Sequence, residues 1–473
     1  MTPDDRCYLS VAQVGKLLRS GELTAVELVD AFIERHARLG EMINCYGLFL
    51  GDRARSQAEA LDTLLANGVD LGPLHGIPIA VKDNIDTAGI ASTSGSSIYR
   101  DRIPTEDSTV IQRLHAAGAI VLGKANLYEW AYGSPSGLFG DVHNPWDLSR
   151  TSGASSNGSA AAVAAGLATA AIGTDLGGSI RIPAAMCGIF GLKPTYGLVS
   201  RFGALPYGQT LDHVGPLTHT ALDAQLILDA IAGPDVKDNV SLTVTETSRS
   251  SLGTDLRGLR VGLALPQPGH EVTADVARAL EQAVCAITSM GCIVVDVALP
   301  SLDDARLAMW TISAVEGAEF HLPILQEASD AYAEKARRLL LGGMLISGVE
   351  YARCQRARTV MADRVGALFD EVSVVLSPIL RSPAWDSTLS AIEFENQSED
   401  NMGAMTHYSP LYNLTGHPAA SFLGGFTDGG LPVGLQVAAP LYAEAQLTAF
   451  VSAYEQATGH TDRRPPLDAR QPA

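Results

Sequence analysis

Short apolar runs rich in β-branched residues alternate along this chain with amphipathic stretches of helical period, and that alternation constrains the fold most. The runs Ile77–Val81, Ala119–Leu122, Leu259–Ala264, Ile293–Val297, Val372–Leu376 and Val433–Val437 suit buried strands. Between them, Ser108–Ala117, Leu222–Ala232, Ala274–Met290 and Ala443–Thr458 read as helices. Strands alternating with helices predict an α/β fold, an α/β/α sandwich around a large mixed, mostly parallel sheet. Residues 1–70 read as helices packed on this core. Ser10 caps one that stops at Gly21, Thr24 and Glu27 form a capping box for one ending near Gly40, and a third covers Asp52–Ala66.

No repeat or composition shift breaks the 473 residues, so one domain over 1–473 is expected. Two polar stretches, Asn239–Gly258 and Arg381–Met405, read as surface loops, the second as a variable rim near a site. The net charge of −19 excludes direct nucleic-acid binding, which needs a basic footprint. The six cysteines are scattered with no CxxC pair, which fits reduced thiols in the cytoplasm. Met1–Ser10 lacks the pattern of a signal peptide, and the apolar stretch Ala160–Ile172 is too short to span a bilayer. No membrane partner is expected. Monomer and homodimer both stay open.

Three familiar motifs fail. Gly118–Lys124 nearly matches a phosphate-binding loop, but Ala125 and Asn126 stand where a Ser or Thr would hold Mg²⁺. No GxSxG elbow is present. The eleven histidines show no metal-ligand spacing, so neither metal nor cofactor is expected, and packing is the default role even for His213 in Leu211–Pro216.

Three segments remain. Gly76-Ile-Pro-Ile-Ala-Val-Lys82-Asp83-Asn84 ends an apolar strand on a lysine. Burial disfavours the ammonium, which leaves either an ion pair with Asp83 or another carboxylate, or a neutral amine usable as a general base. Thr151-Ser-Gly-Ala-Ser155-Ser156-Asn157-Gly158-Ser159 leads into an alanine-rich run, as a helix cap does. Gly173-Thr-Asp-Leu-Gly-Gly-Ser179-Ile-Arg-Ile-Pro183 places two glycines before a serine, either as a plain turn or as a nest of N–H groups for a developing oxyanion.

Together these segments resemble the amidase signature family. The likeness is densest from Leu74 to Val199, including Lys124-Ala-Asn126, His143-Asn-Pro-Trp-Asp147, Cys187-Gly188 and Gly191–Gly197. It returns at Leu211–Pro216 and Gly430–Gln436. The resemblance implies a signature core over residues 74–216 and hydrolysis of a C–N bond in a small-molecule amide-like substrate. It assigns Ser179 as nucleophile, Ser155 as a bridging serine after a cis peptide, and Lys82 as base. It gives the oxyanion hole to the N–H groups of Leu176, Gly177, Gly178 and Ser179. Substrate contacts are expected from Tyr132, Gly133, Ser134, Ser156 and the Arg381–Met405 loop.

The family's serine loop reads Gly-Gly-Ser-Ser-Gly-Gly-Ser, and here Ala154 and Asn157 replace two glycines. Alanine is tolerable if its φ stays negative, and asparagine is the best substitute for a left-handed glycine. The resemblance also extends to the glutaminase component of glutamyl-tRNA amidotransferase. That component holds its substrate's ammonium with an acidic residue where this chain has Thr406. Its Ser-Ala-Glu-Ala-Ser-Ser-Asn segment is replaced by Ser313–Phe320. A stand-alone hydrolase of small or aromatic amides, carbamates or ureas is therefore the expectation. The glutaminase role and a non-catalytic binding protein are the alternatives.

Overall fold

Strands that must be buried on both faces lie mid-sheet, and those at the edges show their sides to water. In the computed structural model, which describes residues 2–133, 135–242, 256–394 and 397–467, Pro78–Lys82, Ile120–Ala125 and Ala170–Asp175 are buried at every position. The two edge strands, Tyr46–Phe49 and Ile293–Asp296, are partly or fully exposed at most positions.

The principal sheet has eleven strands. In chain order they are β1 Tyr46–Phe49, β2 Pro78–Lys82, β3 Ile120–Ala125, β4 Ala170–Asp175, β5 Phe190–Lys193 and β6 His213–Thr218. They continue as β7 Arg260–Leu263, β8 Ile293–Asp296, β9 Val374–Pro378, β10 Ala419–Phe426 and β11 Pro432–Ala438. Their order across the sheet is β1-β3-β2-β4-β6-β5-β10-β11-β9-β7-β8.

The expected α/β class with one large mixed sheet holds, but the parallel share is smaller than anticipated. β3-β2-β4 and β9-β7-β8 pair in parallel, whereas β1-β3, β4-β6-β5-β10-β11 and β11-β9 are antiparallel. The reason lies in composition. β4 (Ala-Ala-Ile-Gly-Thr-Asp) and β10 (Ala-Ala-Ser-Phe-Leu-Gly-Gly-Phe) are strands of small residues, and β6 contains Pro216. None carries the β-branched density that marks a strand in sequence. Small side chains there let helices Asn157–Ala164 and Arg181–Cys187 approach the sheet closely.

The N-terminal caps form as expected. Ser10 and Thr24 each complete a capping box, and Gly21 is left-handed. The second helix runs past Gly40 to Ile43, because Asn44 takes the left-handed stop (φ 55°). The Arg381–Met405 segment is more ordered than a loop. It forms strands Ala391–Phe394 and Gln397–Asp400 and helix Asn401–Met405, and it buries Trp385, Ile392 and Met405 in one cluster with Ala154 and Ile182. Most of the polar stretch expected over Asn239–Gly258 lies outside the described residues. Among the described residues no helix is long and apolar enough to cross a membrane.

Candidate active site

Lys82 closes β2 with its side chain wholly buried. Its Nζ lies 2.8 Å from Ser155 Oγ and 2.8 Å from Thr174 Oγ1, with the Thr174 carbonyl at 3.5 Å. Asn84 Nδ2 donates to the same threonine hydroxyl at 3.2 Å. Among the described residues no carboxylate comes within ion-pair distance of this amine. Burial pushes Lys82 down to about 7, against the opposing pull of Asp175 and Asp212. Asp83, the acid first expected to neutralise it, turns instead to Lys124, at 3.3 Å.

Ser155 follows a cis peptide bond from Ala154, as the resemblance implied, and is itself fully buried. Ala154 does not have a positive φ, so alanine is accommodated. Asn157 is not left-handed; it is the first residue of helix Asn157–Ala164. Gly153 carries the turn instead, at φ +86°, and a Cβ there would sit 2.7 Å from Pro183 Cα.

Ser179 is half-buried and lines, with Ser155, Thr174 and Asn84, a cavity of about 450 Å³. The turn before it is built on Asp175 at the end of β4. One carboxylate oxygen accepts the Gly178 N–H at 2.8 Å, and the other accepts the Ile180 N–H at 3.2 Å and Arg181 Nε at 3.0 Å. Arg181, equally buried, also reaches the Ser409 carbonyl, Gln436 and Asn413, while Asn413 Nδ2 returns to Asp175 at 2.8 Å. This network holds the Asp175 carboxyl far below the usual carboxylate range, the Arg181 charge and its hydrogen bonds together outweighing burial.

Gly178 thus departs from its expected place in the oxyanion hole, because Asp175 already takes its N–H. The N–H groups of Leu176, Gly177 and Ser179 have no acceptor among the described residues, and they are the donors left for an oxyanion. Gly178 stays essential to the turn. Its φ is +123°, and a Cβ would collide with the Ser409 hydroxyl.

Three of the expected substrate contacts lie elsewhere. Tyr132 is fully buried, its hydroxyl donating to the Tyr207 carbonyl at 3.0 Å, and with Gly133 it borders a separate cleft beside Lys335 and Met402. Ser156 is behind the turn, donating to the Thr174 carbonyl at 3.1 Å through its hydroxyl and to the Ser179 carbonyl at 3.1 Å through its N–H. Ser134 lies outside the described residues. The cavity wall comes instead from residues 201–214 and 237–239. His213 lies there too, its Nδ1 2.7 Å from the Leu211 carbonyl, and burial holds it neutral.

Glu316, inside the segment that replaces the amidotransferase signature, binds Thr210 through its N–H at 2.9 Å and its hydroxyl at 2.7 Å, pinning this wall to helix Leu302–Ala328. Thr174, Asp175 and the wall escaped sequence reasoning. The first two lie within the motif Gly173–Pro183, where a polar pair ending an apolar strand is the only available signal.

A family model described as Amidase matches residues 27–448. The chain is 36% identical over 484 residues to the A subunit of glutamyl-tRNA(Gln) amidotransferase from Thermosynechococcus vestitus, covering 97% of this chain and 99% of that one. Among solved structures, the native peptide amidase of Stenotrophomonas maltophilia is similar at 31% identity and TM-score 0.84, over 97% and 98% of the two chains. A bacterial aryl acylamidase of the amidase signature enzymes is similar at 26% identity and TM-score 0.89, over 98% and 99%.

Proposed function

This chain belongs to the amidase signature family of C–N hydrolases, and we propose that it cleaves small or aromatic amides through an acyl-enzyme on Ser179. The observation that carries this reading is the 2.8 Å contact between Ser155 Oγ and a buried lysine with no carboxylate at hand. A serine hydroxyl is a weak nucleophile until a base removes its proton. With Lys82 pushed down to about 7, a large share of it is the free amine at neutral pH. It accepts the Ser155 proton while Ser155 accepts that of Ser179. The Ser179 oxygen attacks the carbonyl carbon, and the anion rests on the free N–H groups of Leu176, Gly177 and Ser179. Run backwards, the relay protonates the departing nitrogen, and water then hydrolyses the ester. Thr174 and Asn84 fix the lysine's position.

The identity to an amidotransferase component supports a second reading more directly than the first, in which the substrate is glutamine and a partner protein uses the ammonia. Local chemistry speaks for the first reading. Thr406 is buried, and its hydroxyl donates to the Met402 carbonyl at 2.8 Å, so no carboxylate there meets an amino-acid ammonium.

A panel of aryl amides, alkyl amides, carbamates, esters and glutamine, run with and without the other amidotransferase components, decides between them. Turnover of simple amides without partners is expected. Strong ammonia release from glutamine only with partners would install the second reading. Ser179→Ala is expected to abolish nearly all turnover and fluorophosphonate labelling, and substantial residual activity would refute the nucleophile assignment.

A further inference from the structure

The cavity over Ser155 and Ser179 has an unbalanced wall. Of its charged groups, Arg201 is engaged bidentately by Asp238, through Nη2 at 2.8 Å and Nε at 3.1 Å, and donates also to Tyr196 and Gln209. Lys237 pairs with Glu106 and lies 4.6 Å over the Phe202 ring. Asp212 has no ion-pair partner within reach among the described residues, although the Arg201 charge bears on it. One of its oxygens, Oδ2, accepts the Tyr207 and Gly208 N–H groups at 2.8 and 3.0 Å, which sets the turn entering β6. No described residue donates to the other, Oδ1. The residue is half-buried at the cavity wall. Around it the wall is mixed, with Leu176, Phe202 and Leu205 beside Asn84, Gln209 and His213. Burial lifts the Asp212 carboxyl to about 7, against the pull of the Tyr207 and Gly208 N–H groups and the Arg201 charge, and a cation docked on it would draw it back down.

A carboxylate on the cavity wall with one oxygen to which no described residue donates is a receptor for a cationic donor on a substrate that enters there. A charge-assisted hydrogen bond there is among the stronger polar contacts. We infer that Asp212 determines specificity, and that the preferred substrates are amides whose chain also carries an amine and no carboxylate, unlike glutamine, the ammonium docking on Oδ1 while the carbonyl faces Ser179. This rests on the proposal that the cavity is where the amide is hydrolysed.

The experiment compares ω-aminoalkanamides with plain alkanamides and ω-carboxyalkanamides of equal chain length. Turnover is measured with the native enzyme, and binding with the Ser179→Ala variant by calorimetry. The best amino amide is expected to exceed its neutral twin about tenfold in kcat/KM and in affinity, with the carboxy amide the worst of the three. Asp212→Asn keeps an inward acceptor for the Tyr207 and Gly208 N–H groups while removing the charge. It should lower kcat/KM for the amino amide about tenfold more than for the neutral one. Equal handling of the amino and neutral amides by the native enzyme, or a ratio unmoved by Asp212→Asn, overturns the inference. The binding arm separates the two claims. Cation-selective binding without hydrolysis would overturn the proposed function and support the role of Asp212, and unselective hydrolysis would do the opposite.

Discussion

Lys82 and Lys124 stand on neighbouring parallel strands, in a register that pairs Val81 with Lys124 and Lys82 with Ala125. Both are buried, at 0% and 1% exposure, so both bear the desolvation that disfavours an ammonium. Their surroundings differ. Lys124 donates to the Ile85 carbonyl at 2.6 Å and the Ser92 hydroxyl at 2.5 Å, and it faces Asp83 at 3.3 Å. Asp83 is in turn held by the Thr93 N–H at 3.0 Å. Among the described residues Lys82 meets only hydroxyls and one distant carbonyl. One lysine has a counter-charge and serves the fold. The other lacks one among the described residues, and the proposed mechanism makes it the base. A buried cation is thus not informative by itself; what decides its use is whether an acid turns toward it.

Substitutions that remove each amine should separate activity from stability. Lys82→Met is expected to lower kcat/KM for amides by about 10²–10⁴, the range for a positioned general acid–base. Its thermal midpoint at pH 7 should match or exceed the parent's, because an amine held uncharged in the fold opposes folding wherever the unfolded chain would protonate it. A large loss of stability with little loss of rate would erase the contrast.

Lys124→Met should do the reverse. It strands Asp83 without its partner and is expected to destabilise the fold by about 3–5 kcal/mol in urea denaturation, with adding Asp83→Asn recovering part of that. An unaltered midpoint would show that the pair is dispensable.

The mildest test is pH. Lys82 is depressed from its usual 10.5 to about 7, so the free amine dominates above that point and the ammonium below it. The rate constant kcat/KM should hold level above about pH 7 and fall about tenfold per unit below it. The arm should vanish in the residual activity of Lys82→Met. An arm that persisted there would belong to another group.

What the sequence revealed, and what it withheld, follow the same divide. Ser155 and Ser179 were singled out by the family resemblance, since on their residues alone one segment reads equally as a helix cap and the other as a plain glycine turn. Lys82 was legible as a charge at the end of an apolar strand, yet the chain alone could not say whether an acid met it. Asp83 is adjacent in sequence, but successive strand residues point to opposite faces, so the adjacent acid serves the lysine on the next strand. Tyr132 and Gly133 looked like site residues from position alone. Long-range packing against helix Leu302–Ala328 turned the tyrosine away, the approach being so close that a Cβ on Gly317 would collide with its hydroxyl. The cavity wall was out of reach for a related reason. Glu316 fastens it from 106 residues away, a contact no local pattern encodes.

The anchoring of Asp175 and Arg181 by Ser409, Asn413 and Gln436 has a temporal consequence. During synthesis on the ribosome, the amine and both alcohols emerge more than two hundred residues before the groups that brace the anion cradle. With Ser179 as the proposed nucleophile, hydrolytic competence would arrive only with the last part of translation, and nascent or truncated products ending before Ser409 would carry it without its bracing.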